Sequence, residues 1–169
     1  RLSIVTDPDG GITRHIYNAV GNLERTEFAN GTIETREYDA LNRLVYLENN
    51  GPNGIINSFR YTLNATGNRT EVEEHDGRRV AYTYDELERL IEESIFEPGA
   101  TTASRTIEYV YDEVGNRLSR TDSGDGTTIY TYDNNDRLAT ETTDGETTTY
   151  AYDENGNTLS RTSANEQVS

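Results

Sequence analysis

Polar and apolar residues alternate in short bursts along this chain. In "TIYTYD", Thr128 to Asp133, the rings of Tyr130 and Tyr132 fall two residues apart, which places both on one face of an extended strand. The pairs Tyr82/Tyr84, Tyr109/Tyr111 and Tyr150/Tyr152 repeat that pattern. Thr, Tyr, Ile and Val fill these segments and helical periodicity is weak, so they read as strands. Gly-containing turns separate them. "TTDGETTTY", Thr142 to Tyr150, is the clearest hairpin, an Asp-Gly turn flanked by strand formers. Leu44, Leu90, Leu118 and Leu138 open the first strands and are expected beside the tyrosines, giving each hairpin a Tyr-Leu patch at one end.

The strand pairs belong to a longer repeat. Its anchors, Tyr17-Asn18, Tyr38-Asp39, Leu63-Asn64, Tyr84-Asp85, Tyr111-Asp112, Tyr132-Asp133 and Tyr152-Asp153, are spaced by 21, 25, 21, 27, 21 and 20 residues. A near-constant period with two insertions marks a stacked repeat. The insertions are "NNGPNG" (Asn49 to Gly54) and "FEPGATTAS" (Phe96 to Ser104). Pro8, Pro52 and Pro98 all fall in turn regions, where a missing N–H donor does no harm. Each anchor's Asp or Asn opens a short link and is suited to accept backbone N–H groups in an Asx-type turn. Asn18 and Asn64 stand where other copies have Asp, which favours that turn role over general-base chemistry. The expectation is an all-β antiparallel meander of stacked hairpins, about sixteen strands in about eight repeats, forming a curled ribbon or part of a β-shell. Residues 1–169 read as a single array, expected to be a fragment of a longer one because partial repeats stand at both ends and Arg1 is not a start residue.

Composition sharpens this picture. A hydrophobic share of 32%, much of it Tyr, predicts a stripe or thin layer of core rather than a ball. Acidic residues number 31 against 15 basic ones, for a net charge of -16, and every basic residue is Arg. Such a field repels nucleic acid and anionic membrane surfaces and sets both aside as partners. Cysteine is absent, which removes disulfides, thiolate metal sites and a cysteine nucleophile. No apolar run is long enough for a membrane helix, no signal-peptide pattern is read, and no membrane insertion is expected.

The word Tyr-x-Tyr-Asp-x-x-Gly-Asn-Arg-Leu, complete at Tyr109 to Leu118, resembles the tyrosine-aspartate (YD) repeat of the Rhs family. Related repeats occur in the shell subunits of Tc toxins and in teneurins, and the resemblance covers nearly the whole chain. It implies a long β-ribbon that spirals into a hollow shell around a toxic C-terminal polypeptide, within a very large secreted or surface-exposed protein. "DPDGG" at Asp7 to Gly11 superficially resembles the family's self-cleavage motif, but it reads as a hairpin turn and no protease role is carried over.

No catalytic and no cofactor-binding residue is assigned. His15 and His75 lie in different repeats, and His15 takes the place of a packing Tyr. The structural residues of the repeat are Tyr17, Tyr38, Asp39, Tyr84, Asp85, Tyr111, Asp112, Tyr132, Asp133, Tyr152 and Asp153. "TDSGDGT" makes Asp122 and Asp125 the candidate calcium ligands, although Asp-Gly is also ordinary turn chemistry. Asn30, Asn64 and Asn68 begin glycosylation triplets. The expected function is a non-enzymatic scaffold forming the wall of a shell around a C-terminal toxin or effector. The alternative is an extracellular filament or adhesion surface, self-associating or touching carbohydrate through exposed Tyr and Asn. Expected partners are neighbouring repeats or identical subunits, an encapsulated toxin, or carbohydrate.

Overall fold

The computed structural model describes residues 1–163. Within them lie fifteen strands that follow one another in sequence order across one sheet. They are β1 (Ile4–Thr6), β2 (Ile12–Tyr17), β3 (Leu23–Glu27), β4 (Ile33–Tyr38), β5 (Leu44–Gly51), β6 (Gly54–Leu63), β7 (Arg69–Glu74) and β8 (Arg79–Tyr84). The run continues with β9 (Leu90–Phe96), β10 (Arg105–Tyr111), β11 (Arg117–Asp122), β12 (Gly126–Tyr132), β13 (Leu138–Thr143), β14 (Glu146–Tyr152) and β15 (Thr158–Ser163). The antiparallel meander is present, with fifteen described strands where about sixteen were expected. Residues 164–169 lie outside the described residues.

Contacts divide the chain into two compact units, Arg1–Tyr82 with Ile95–Thr102, and Thr83–Ser94 with Ala103–Ser169. Both follow one local rule. Where a strand enters a link the ladder slips by one residue, between Ile16 and Tyr17, Glu37 and Tyr38, and Thr62 and Leu63 in the first unit. In the second it slips between Val110 and Tyr111, Thr131 and Tyr132, and Ala151 and Tyr152. The strand leaving each of these links thus carries one extra residue, a β-bulge that increases local twist.

The bulges correct the expected Tyr-Leu patch. Leu44 and Leu138 do face Tyr38 and Tyr132 across the ladder, but Arg117 faces Tyr111, and Leu118 is the extra residue of its bulge. The cause is loop length. Every link between paired positions is equally long, and in the 112–116 link a Gly-Asn pair fills the places that Asn42-Arg43 fill in the 39–43 link. The Arg-Leu pair is therefore displaced by one, and Leu118 loses its place beside the ring.

Among the described residues the single sheet buries little. Val72, Val80 and Ile107 are the buried apolar side chains, joined by Thr26, Thr148 and Asp122. In the second unit the two faces of β11–β15 differ sharply. One carries the rings of Tyr130, Tyr132, Tyr150 and Tyr152, and with them the charges of Arg120, Asp122 and Glu141. The opposite face bears a row of cross-strand partners, Thr131, Thr140, Thr149 and Thr162. A second row beside it runs Ser119, Ile129, Thr142, Thr147. The pairs Thr121/Thr127 and Ala151/Ser160 complete this face.

Candidate functional site

Each link is closed from inside by its first residue. The Asp39 N–H donates to the Arg43 carbonyl at 2.9 Å, and the Asp39 carbonyl accepts from the Asn42 N–H at 3.0 Å. Its Oδ1 accepts the N–H groups of Leu41 and Arg43 at 2.8 and 3.0 Å. The same closing pair of backbone bonds recurs at Asn18, Asn64, Asp85, Asp112, Asp133 and Asp153. An amide oxygen serves as well as a carboxylate: Asn18 Oδ1 accepts from Gly21 and Asn22 at 2.8 and 2.9 Å. Closure puts the fourth link residue at positive φ. Asn42, Glu88 and Asp136 sit there at 61°, 62° and 58°, while Gly21, Gly67, Gly115 and Gly156 hold the other four places.

These donors also set acidity. The N–H of the residue four positions on leads in holding Asp39, Asp85 and Asp133 below the usual carboxylate range. For Asp153 the side-chain amide of Asn157 leads. At Asp112 burial pushes the carboxyl up, but the bonds from Asn116, Gly115 and Val114 outweigh it and the net shift is downward.

The fifth link residue alternates between Asn and Arg, and it ties links together. In the first unit Asn22 Nδ2 donates to Asn42 Oδ1 of the next link at 2.9 Å, and Arg43 Nη1 donates to the Asn64 carbonyl of the one after at 3.0 Å. The second unit repeats the scheme. Arg89 Nη1 reaches the Asp112 carbonyl at 2.8 Å, Asn116 Nδ2 reaches Asp136 Oδ1 at 2.9 Å, and Arg137 Nη1 reaches the Asp153 carbonyl at 3.2 Å. The three arginines also pair through Nε with the carboxylates of their own links, Asp39, Asp85 and Asp133, each at 2.7 Å.

The anchor tyrosines reach backwards. Tyr38 donates its hydroxyl to the Leu23 carbonyl at 2.8 Å, at the start of the strand that follows the preceding link. Tyr111, Tyr132 and Tyr152 do the same to the carbonyls of Leu90, Arg117 and Leu138, at 2.8, 2.9 and 2.9 Å, and Tyr17 donates to Leu2 at 2.9 Å. Guanidinium groups cover the rings. Arg117 lies between Tyr109 and Tyr130, 5.5 and 4.9 Å from their centroids, while Arg89 and Arg137 sit over Tyr111 and Tyr152.

A charged node ends β11. The side chain of Asp122 is wholly buried; its Oδ1 accepts from Arg105 Nε at 2.7 Å and the Gly124 N–H at 3.0 Å. Its Oδ2 accepts from Arg105 Nη2 and Arg120 Nη2 at 2.6 and 2.5 Å. The Arg105 bonds lead in holding this carboxyl far below the usual range, and Asp122 correspondingly raises Arg105. Tyr109 donates to Glu93 at 2.5 Å, and burial, followed by that bond, pushes its hydroxyl up to about 12.

The residues proposed from the sequence are therefore placed as follows. Asp122 and Asp125 are brought together, but around Arg105, which pairs with both carboxylates. Among the described residues no three acidic or histidine side chains gather closely enough to hold a metal ion. Asn30 is exposed in a turn with its Oδ1 on the Thr32 N–H, whereas Asn64 Oδ1 takes the N–H groups of Gly67 and Asn68. His15 stands beside buried Thr26, 3.5 Å from Nδ1 to Oγ1. Sequence reasoning missed the Arg/Asn alternation that ties the links. Its signal was present: Gly precedes Asn at the end of four links, and a residue other than Gly precedes Arg in the other three.

The RHS Repeat family model matches residues 58–94 and 111–145. No curated protein sequence matches the chain. Among solved structures, the TcdB2-TccC3 crystal structure is similar with a TM-score of 0.80 and 23% identity over 94% of this chain. The TcdB2-TccC3-Cdc42 complex gives 0.78 and 23% over 95%, and the Photorhabdus luminescens Tc holotoxin pore carrying a TccC3 mutation gives 0.79 and 23% over 93%. This chain covers only 10%, 10% and 9% of those chains, respectively. The likeness establishes a shared fold.

Proposed function

We propose that this chain of RHS (YD) repeats is scaffold: a stretch of wall in a shell that surrounds a C-terminal toxin or effector polypeptide of a large secreted or cell-surface protein. The observation that carries this reading is the tying of link to link, because it stiffens the ribbon along one edge and engages the recurring Asp, Asn and Arg side chains with backbone and with one another. The anchor hydroxyls are likewise engaged by carbonyls, so the repeated residues support architecture rather than turnover. Likeness in fold to TcdB2-TccC3 supports the same reading, and so does the family match. Since the chain spans about a tenth of those chains, a closed wall of this kind draws on many more repeats. The deciding experiment is electron microscopy of the protein in its full-length native form, with limited proteolysis of the same sample. Closed hollow particles with a protease-protected polypeptide are expected. Long filaments with no protected polypeptide would replace this reading with an extracellular fibre built by self-association of the ribbon.

A further inference from the structure

We infer that the outer part of β6, Ile55 to Ser58, is an open sheet edge that takes up an extended, basic segment of a separate polypeptide as an added strand; this does not rest on the shell reading. The insertion at 49–54 lengthens β5 and β6 to eight and ten residues, against six for β7. On one side β5 is backed by β4 as far as Asn50, which faces Ile33. On the other, the ladder between β6 and β7 begins only at Phe59 and Glu74. Ile55, Asn57 and Ser58 therefore pair with β5 alone, and Ile56 is the extra residue of a bulge. Every second residue of such a segment directs its N–H and C=O away from β5, where no strand lies beside them. Charged side chains commonly guard an edge, but Gly54, Ile55, Ile56, Asn57 and Ser58 carry no charge. Ile55 is 44% exposed and Ile56 58%.

The space beside this edge is shaped by the short hairpin of β7 and β8. Its turn closes early, with the Glu74 N–H on the Arg78 carbonyl at 2.8 Å and the Gly77 N–H on the Glu74 carbonyl at 2.9 Å. Within the same unit the second insertion folds back onto that turn. Arg79 Nη2 donates to the Ala100 carbonyl at 3.3 Å, the Arg79 guanidinium lies 4.5 Å from the Phe96 ring centroid, and a Cβ on Gly77 would meet Pro98 at 3.7 Å. That packing fixes the turn in place. Where the turn meets the open edge there is a cavity of about 170 Å³, lined by Ile56, Asn57, Phe59, Glu74, His75 and Asp76.

The side chains around the cavity select the occupant. Glu74 is paired with Arg78 at 2.6 Å, whereas Asp76 accepts the Arg78 N–H at 2.9 Å and forms no ion pair among the described residues. An added strand gains main-chain bonds from β6, sets apolar side chains against Ile56 and Phe59, and brings a cation to Asp76. A second copy of this chain is a poor source of such a strand, because its acids outnumber its bases 31 to 15 and two copies charged -16 repel one another. The edge admits about four residues, roughly 13 Å of extended chain. Its shortness and the bulge at Ile56 limit pairing to one short strand rather than open-ended stacking.

The test is an NMR titration of the isotope-labelled full chain with the peptide acetyl-Arg-Val-Arg-Val-Arg-Val-amide. Shifts confined to the amides of Ile55–Phe59 and His75–Gly77 are expected, together with slower hydrogen exchange along the edge. The same peptide with every amide N-methylated keeps its charges and loses its donors, and should bind at least about tenfold more weakly. Ile56→Lys/Ser58→Lys guards the edge with like charge and should also weaken binding about tenfold, while Asn134→Lys/Asn135→Lys, with the same added charge at a link tip, should not. Circular dichroism verifies that each variant is folded, and the methylated peptide decides the matter on the unaltered chain. No shift, or shifts spread over the acidic surface that survive methylation, would overturn the proposal. So would a dimer of the chain alone in sedimentation that Ile56→Lys/Ser58→Lys abolishes, because the edge would then belong to a second copy.

Discussion

Replacing Tyr132 with Phe removes one hydroxyl and leaves the ring, which makes it a direct probe of the backward tie between repeats. That hydroxyl donates to the Arg117 carbonyl at 2.9 Å, beside the bulge that begins β11. A net hydrogen bond contributes about 0.5–1.5 kcal/mol, so Tyr132→Phe should destabilise by about 1 kcal/mol. Tyr132→Ala also removes the half-buried ring. Roughly 100 Å² of lost burial at about 25 cal/mol per Å² adds about 2.5 kcal/mol, for a total of about 3.5 kcal/mol. Tyr111 and Tyr132 both contact Arg117, through the ladder and through its carbonyl, so a Tyr111→Ala/Tyr132→Ala pair should show coupling. Its summed loss approaches the whole stability of an ordinary domain, and the hairpins of β10–β13 should open. Urea unfolding followed by circular dichroism gives the free energies, with amide exchange localising the loss, since repeat arrays need not unfold in one step. A Phe variant within about 0.3 kcal/mol of the parent would refute the hydroxyl tie, and an undiminished double Ala variant would refute the packing argument.

Asp112→Asn keeps the Oδ1 acceptor but turns Oδ2, which accepts from Asn116 Nδ2, into a donor, and should cost little, whereas Asp133→Asn loses the pairing with Arg137 and should lower Tm by several degrees more. Thermal melts of the two variants side by side check this, and equal losses would contradict it. Because Asp39, Asp85, Asp112, Asp122, Asp133 and Asp153 titrate lower folded than unfolded, their stabilisation is complete above the unfolded value of 3.8 and disappears as pH falls through their folded values. The urea midpoint should hold between pH 7 and 5 and drop below about 4; a fall already complete at pH 5 would point to other groups. Tyr109 runs the opposite way, pushed up to about 12, so its share is present below the unfolded value of 10.0 and lost as pH rises from there to about 12. Tyr109→Phe should flatten that alkaline loss. Glu88→Gly should stabilise by about 0.5 kcal/mol by relieving a left-handed φ of 62° in a residue unsuited to it, a gain that chemical denaturation can resolve.

Much of this architecture is legible in residue types. Alternation around Tyr130 and Tyr132, the Asp-Gly turn at 144–145 and the near-constant anchor spacing point to a meander of hairpins, and the strands fall there. Leu118 shows where pattern reading fails. Its Arg-Leu pair looks equivalent to Arg43-Leu44, yet the ladder counts residues from the tyrosine and assigns the place to Arg117. A one-residue shift changes the facing of a side chain entirely, and only the backbone bonds of the link reveal it. Asp122 is a second case. Its short-range setting reads as an Asp-Gly turn or a cation loop, whereas its chief partner Arg105 lies on the neighbouring strand and is invisible to local inspection.

The alternation of links has a physical cause within the links themselves. At two of the links ending in Asn the short amide reaches forward to the side-chain oxygen carried by the fourth residue of the next link, Asn22 to Asn42 and Asn116 to Asp136, whereas Asn68 turns back to Thr66 Oγ1 of its own link. At Asn42 and Asp136, which receive those bonds, the fourth residue cannot be Gly, although its φ of about 60° favours Gly. Asn and Asp tolerate the left-handed region best among residues with a side chain, and both accept a hydrogen bond. A link ending in Arg projects a longer arm that passes to the main-chain carbonyl of the next link, at Asn64, Asp112 and Asp153. A carbonyl makes no demand on the fourth residue, so Gly can take that place, and it does at Gly67, Gly115 and Gly156. Where Asn22 and Asn116 reach forward, one link therefore sets the requirement for the next, and there the self-consistent unit is a pair of repeats rather than one.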